Sequence, residues 1–407
     1  MILRDLAKKV NKIINHQNNK SRINLWKNHN SLIKTKPPIV VFPENSWTEI
    51  IPYEKLKTSH LFLREYEWYL RSIIYRNDNI KDDYVYEPYL KVPIFFSSND
   101  FGLPSRTLET EKEKGSLSYI RQINDENDIV KIKYPEVFID EERTLENYQF
   151  LGDILGDIID VRIVNLSSYY VDTVLLWRFN HWRGFNQICI DMIERPKWVH
   201  KVMSFMTKGS LKLLRKLEEN NNLGLNNNDL YLGSGGFGYT NDLPSEDTCV
   251  KEKVLLKYMW GFSEAQDFTG VSPRMFEEFV LPYQMELIKN FGLSYYGCCE
   301  DITNKIDLLL KIPNLRRVSV SPFSDLRILS EKLEKNYVYV WKPNPSYLAM
   351  ETFDEEFIRT KLREGFSVTK DNIVEIVLKD TITIRNEPER ITKWVNIAKK
   401  IIEEDYN

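Results

Sequence analysis

Long apolar runs are missing from this chain of 407 residues. No stretch of about 20 apolar residues occurs, so nothing reads as a helix that spans a bilayer. The first twenty residues are charged and amphipathic, without the apolar core of a signal peptide, and a cytoplasmic protein with no membrane partner is expected. Surplus charge is missing too. With 56 basic against 59 acidic residues and a formal charge of -3, nothing draws the chain to nucleic acid, and a small molecule or a protein is the expected partner. Cysteine is scarce: the four stand at 189, 249, 298 and 299, which is no secreted disulfide framework. Adjacent Cys298 and Cys299 would close only a strained ring, so reduced thiols are expected. No nucleotide-binding glycine fingerprint with its acid at the usual offset is found, and the glycine-rich stretch 233–238 lacks the lysine of a phosphate loop.

What is present is 42% apolar residues, enough for a large core, in a pattern that switches between two periods. Residues 1–36 carry apolar positions at helical spacing (Leu6, Val10, Ile13, Ile14), and Lys36-Pro37-Pro38 closes that segment. Short β-branched or aromatic runs then predict strands at 39–43, 88–95, 172–178, 229–233, 294–298, 316–320, 337–341 and 373–378. Helical patterns separate them, among them 60–75, 145–158, 185–217, 281–291, 325–333, 353–364 and 388–404, with Thr352 and Glu355 at capping-box spacing before the second last. A helix-like run carries Trp260, Glu264 and Gln266, and residues 97–137 read as an irregular excursion. Strands alternating with helices imply parallel βαβ units, and eight of them imply a (β/α)8 TIM barrel over residues 37–407 with an N-terminal helical extension over 1–36. A doubly wound open sheet is the alternative.

In such a barrel, chemistry gathers at the carboxyl ends of the strands. The stretch from Leu293 to Asp301 ends in Tyr296-Gly297-Cys298-Cys299-Glu300-Asp301, bringing thiols, a phenol and acids to one strand tip. Strict alternation would put Tyr296 and Cys298 on one face and Cys299 on the other. Cys298 is a candidate nucleophile, Glu300 a candidate acid or base, and Asp301 a helix cap. Cys298 and Cys299 are also candidate zinc ligands, to be completed by a carboxylate or water. Glu44 ends the first strand, where an acid rarely serves packing. Lys342, entering a Pro-Asn-Pro turn, and Lys379, beside Asp380, are candidate anchors for a carboxylate or phosphate. Gly235 would permit close approach of a ligand, and Tyr296, Trp260 and Gln266 are candidate cavity-lining residues. For each there is a plainer reading: a thiol packed as a small apolar group, a lysine in a rim ion pair, a tryptophan in the core.

Three phrases in order, Tyr296-Gly297-Cys298-Cys299-Glu300, Ile312-Pro313-Asn314-Leu315-Arg316-Arg317-Val318-Ser319-Val320-Ser321-Pro322 and Val340-Trp341-Lys342-Pro343-Asn344-Pro345, resemble the uroporphyrinogen decarboxylase superfamily. They are most similar to its branch from anaerobic bacteria related to cobamide-dependent methyltransferases. The resemblance implies a TIM barrel and one of two chemistries. The decarboxylases carry an arginine-rich motif near the first strand, where this chain reads Phe42-Pro43-Glu44-Asn45-Ser46-Trp47, so tetrapyrrole decarboxylation is not expected. The methyltransferases bind zinc through His-x-Cys and a later cysteine. Here Tyr296 takes the histidine's place, and no cysteine follows Cys299 and no histidine follows His200. The expectation is methyl transfer between a small substrate and a corrinoid (cobamide) protein. A metal-independent decarboxylase or lyase of a small carboxylated compound and a non-catalytic corrinoid-binding barrel are the alternatives.

Overall fold

The computed structural model describes residues 2–108, 118–167, 173–246 and 253–405. Its core is a parallel sheet. Eight strands have parallel partners: β1 (Ile39–Val41), β2 (Tyr89–Pro93), β3 (Asp160–Val164), β4 (Trp260–Ser263), β5 (Leu293–Tyr296), β6 (Leu315–Val320), β7 (Val338–Trp341) and β8 (Ile373–Leu378). Six form one sheet in the order β1-β8-β7-β6-β5-β4, with the first strand beside the last, while β2 and β3 form a separate pair. The expectation of a closed ring is therefore met only in part: among the described residues the ladder does not run round the whole circle.

The reason is visible at the two edges. Along β1, the N–H of Phe42 faces β8 and donates to Leu378 O, so those of Ile39 and Val41 face the free side. There they donate to the carboxylates of Asp83 (3.0 Å) and Asp82 (2.9 Å). At the free side of β4, the Asn226 amide both donates to Trp260 O and accepts from Trp260 N, each at 2.9 Å, and the Thr173 hydroxyl donates to Phe262 O. Side chains thus satisfy backbone groups that a neighbouring strand would otherwise pair.

Three expected elements differ. Residues 176–183 are helical (Leu176–Arg183), so the strand expected at 172–178 is not formed there; its residue 172 lies outside the described residues. A short, fully buried apolar run carries no period that separates strand from helix. The strand expected at 229–233 is a turn whose only ladder contact among the described residues is an isolated bridge between Tyr231 and Phe237, because the glycines fold the chain back within a few residues. Conversely, the helix-like run around Trp260 is strand β4. Strand β3 adds to the expected set: Asp160 and Arg162 alternate with Val161 and Ile163, so it carries no continuous apolar run. The helix Glu355–Thr369 is capped by Asp354, which accepts from Phe357 N at 2.9 Å, rather than by Thr352.

Alternation along the strands separates two faces. Tyr339, Trp341, Val374, Ile376 and Leu378 pack outward under the helices, while Val40, Phe42, Trp260, Tyr295, Val338, Val340 and Val377 pack against one another inside. The N-terminal helices bracket this body. Helix α1 (Ile2–Ile14) buries Leu3, Ala7, Val10 and Ile14 in a separate apolar cluster with Leu63, Leu70 and Leu151. Helix α2 (Gln17–Asn30) reaches the interior: Trp26 donates its indole N–H to Asp83 O at 2.8 Å, and the Asn30 amide donates to Phe237 O and Tyr239 O. No helix among the described residues is long and apolar enough to cross a membrane.

Deep on the inner face, Arg317 of β6 and Glu375 of β8 form an ion pair with both side chains fully buried. Burial works against the Glu375 charge, but Arg317 and the nearby His29 outweigh it and hold the carboxyl below its usual range. The other guanidinium contacts go to Gly235 O (3.0 Å) and Phe237 O (3.2 Å), which ties the glycine-rich turn to the sheet. Removing one partner strands the other charge in a fully buried site. Arg317→Met should lower the stability measured by urea unfolding by about 3–5 kcal/mol, and Arg317→Met combined with Glu375→Leu should lose less than Arg317→Met alone.

Candidate active site

The alternation that points Val338 and Val340 inward continues one step past β7 to Lys342, and that of Glu375 and Val377 continues past β8 to Lys379. Both ammonium groups therefore arrive at the carboxyl end of the sheet on its inner side, and both lysines are buried. Lys342 Nζ donates to Ser234 Oγ and, at 2.9 Å, to Cys298 O. Lys379 Nζ lies 4.0 Å from Cys298 Sγ and 3.2 Å from Asp380.

Cys298 reaches this point because alternation stops at Gly297. Its φ of +97° is a left-handed conformation that suits glycine, and a Cβ there would meet Ser319 at 3.1 Å. The bend overturns the expected facing: Tyr296 points outward, its phenol buried and donating to Gln284 Oε1 at 2.9 Å, while Cys298 and Cys299 both come to the inner rim. Their shared peptide is fixed, since Cys298 O also accepts from Ser319 Oγ at 2.7 Å. The two sulfurs lie 3.5 Å apart, and Cys299 Sγ is 3.1 Å from Asp380 Oδ2. Glu300 turns back beneath them, accepting from Cys298 N (2.7 Å) and Ala265 N (2.9 Å). Glu264, one step past β4, is its buried neighbour.

This packing sets unlike protonation states side by side. The hydrogen bond from Cys299 lowers the Cys298 thiol; burial opposes it, the charges of Lys342 and Lys379 reinforce it, and the result is a pKa of about 5. The same contact pushes Cys299 well up, so its proton stays. Burial, with Glu300 alongside, raises Glu264 to about 9, and burial also raises Glu300 against the pull of the backbone N–H groups. Burial lowers Lys342. Near pH 7 the site holds a thiolate beside an ammonium group, with the Glu264 carboxyl protonated.

Of the residues singled out by sequence, Cys298, Cys299, Glu300, Lys342 and Lys379 meet here. Glu44, in a left-handed turn (φ +47°), stands exposed at the rim, where loss of surrounding water raises its carboxyl and Lys379 opposes the shift. Three of the other four serve packing. Trp260 lies fully buried at the start of β4 and donates its indole N–H to Gly238 O at 2.8 Å. Gly235 is pressed against Val377, where a Cβ would come within 2.6 Å. Tyr296 faces the helices. Gln266 is exposed, and it is its backbone N–H that meets Glu264, at 2.5 Å. Asp301 accepts from Thr303 N at 2.9 Å, a turn-capping contact. Ser234 and Ser319 had no sequence signal, being small polar residues in a loop and a strand. Glu264 had one, an acid directly after an apolar run, hidden by reading that run as helix.

Cys298 and Cys299, the expected zinc ligands, are brought side by side. Among the described residues no group of three histidine, cysteine or acidic side chains is placed to hold a metal ion. The sulfurs are engaged instead with each other, Lys379 and Asp380.

The sequence matches no family model and no curated protein. Among solved structures, a methyltransferase from Methanosarcina mazei aligns with 94% of this chain and 98% of its own, at a TM-score of 0.49 and 9% identity. A likeness that distant says nothing about the chemistry of this site. The alkylation rate of Cys298 by iodoacetamide should be half-maximal near pH 5, as its lowered pKa requires. Lys379→Met and Cys299→Ala should each move that midpoint up toward the ordinary thiol value of about 8.5; a native midpoint already there would refute the assigned electrostatics.

Proposed function

We propose that this chain is a methyl-transfer enzyme in which the Cys298 thiolate attacks an activated methyl group of a small anionic substrate held by Lys342 and Lys379. The observation that carries the reading is the Cys298 sulfur itself: half-buried, 4.0 Å from an ammonium group and 3.5 Å from a second thiol, surroundings that lower its pKa to about 5. A thiolate is a soft nucleophile suited to carbon. As the sulfur–carbon bond forms, the bond from the methyl carbon to its leaving atom breaks, and that atom keeps the electron pair. Lys379 then loses one of its two anionic neighbours and keeps Asp380 at 3.2 Å. Moving the methyl group on from the resulting thioether calls for an acceptor stronger than a thiolate. A reduced corrinoid carried by a partner protein has that strength, and we take such a protein to be the second substrate. No step is routed through zinc.

A second reading has one observation of its own. Burial and the neighbouring Glu300 raise Glu264 to about 9, and a buried acid that keeps its proton is also what a carboxy-lyase would use to protonate a carbanion after loss of carbon dioxide. The two readings separate on the sulfur. If methyl transfer is right, methyl exchange with a methylated cobamide carrier should fall at least about 10³-fold in Cys298→Ser. Full exchange in that variant, or carbon dioxide release that ignores it, would favour the lyase.

Glu264 also makes a prediction about stability. A carboxyl whose pKa is raised on folding contributes stability that is fully present below its unfolded value of about 4.3 and is lost as pH climbs toward the folded value of about 9. Glu264→Gln should therefore raise the melting temperature at pH 8 and leave it nearly unchanged at pH 4, as read by thermal unfolding at both pH values.

A further inference from the structure

The pairing of the two sulfurs is more than methyl transfer requires, since one thiolate suffices as nucleophile. Both side chains are half-buried, so a small reagent reaches them. The peptide that joins them is pinned through its carbonyl by Ser319 Oγ at 2.7 Å and Lys342 Nζ at 2.9 Å, which keeps both side chains over the same space with their sulfurs 3.5 Å apart. Asp380, itself in the left-handed region (φ +59°), brings Oδ2 to 3.1 Å from Cys299 Sγ, within reach of the thiol proton. Lys379 stands 4.0 Å from the other sulfur, where it favours an anionic form of Cys298. A nucleophilic thiol, a second thiol in contact with it and a carboxylate to take the second proton are the parts of a peroxide-reactive pair.

We propose that Cys298 and Cys299 form such a pair: a hydroperoxide oxidises Cys298, Cys299 closes onto it as a disulfide between adjacent residues, and the site stays silent until a thiol reductant reopens it. In the first step Cys298 sulfur attacks one peroxide oxygen. The oxygen–oxygen bond breaks, hydroxide leaves and is protonated to water, and the sulfur, oxidised by two electrons, becomes a sulfenic acid. In the second, Cys299 passes its proton to Asp380 and attacks Cys298 sulfur. The sulfur–oxygen bond breaks and hydroxide leaves as a second water. Two thiols and one hydrogen peroxide give one disulfide and two waters. To bond, the sulfurs must approach to about 2.05 Å while their shared peptide is held by Ser319 and Lys342. The ring is therefore strained, and strained disulfides are the readily reduced ones. The switch would protect Cys298 from irreversible over-oxidation and stop turnover under oxidising conditions.

The test uses the full chain with hydrogen peroxide and reads thiols, so its outcome is separate from that of the methyl-exchange experiment. After peroxide, the thiol count of the denatured wild-type protein should fall from four to two. The peptide containing residues 298 and 299 should lose the mass of two hydrogens, and dithiothreitol should restore both values. In Cys299→Ala, Cys298 should pass on to the sulfinic acid, which dithiothreitol does not reverse. Asp380→Asn should slow disulfide closure several-fold without changing the rate at which a dimedone probe traps the sulfenic acid. Over-oxidation of Cys298 in the wild type at the rate seen in Cys299→Ala, a disulfide to Cys189 or Cys249, or no loss of thiols would each overturn the proposal.

Discussion

One buried ion pair underlies the geometry of the site. Arg317 and Glu375 lie within the sheet's inner face, where neither charge would be tolerated alone. Because the guanidinium also donates to the carbonyls of Gly235 and Phe237, the glycine-rich turn is held across the inside of the sheet. That turn carries Ser234, which receives Lys342, and Lys342 in turn holds the carbonyl of Cys298. A chain of hydrogen bonds thus runs from the middle of the sheet to the reactive sulfur. The turn needs its glycines for this: a Cβ at Gly236 would fall 2.1 Å from the Arg317 guanidinium, and one at Gly233 would strike the ring of Tyr295 at 2.3 Å.

The site divides its charges between two walls. On one side stand Lys342 and Lys379, at inward positions of neighbouring strands. On the other stand Glu264 and Glu300, which burial keeps from ionising freely. The cysteines lie between, and their contact gives the proton to Cys299 and the negative charge to Cys298. Low dielectric around the site strengthens each of these preferences, which is why a thiolate and a neutral carboxyl coexist a few side chains apart.

Much of this was legible in the sequence, for a definite reason. Strands β5, β7 and β8 are largely apolar runs bounded by prolines, glycines or charges, so their tips, and with them Cys298, Lys342 and Lys379, could be located by counting. The failures have physical causes as well. The run at 172–178 was apolar enough for a strand but folds in part as a helix, and Trp260-Gly261-Phe262-Ser263 was too short to reveal its period. Tyr296 was placed beside Cys298 by strict alternation, which a single left-handed glycine undoes. The buried triad of His29, Arg317 and Glu375 spans nearly the whole chain, and no local pattern predicts a pairing between residues so far apart.

The edges of the sheet carry a further implication. At β1 and β4 the outward backbone groups are already taken by Asp82, Asp83, Asn226 and Thr173. Such a rim offers no template on which a foreign strand could extend the ladder, so neighbouring copies gain little by stacking edge to edge.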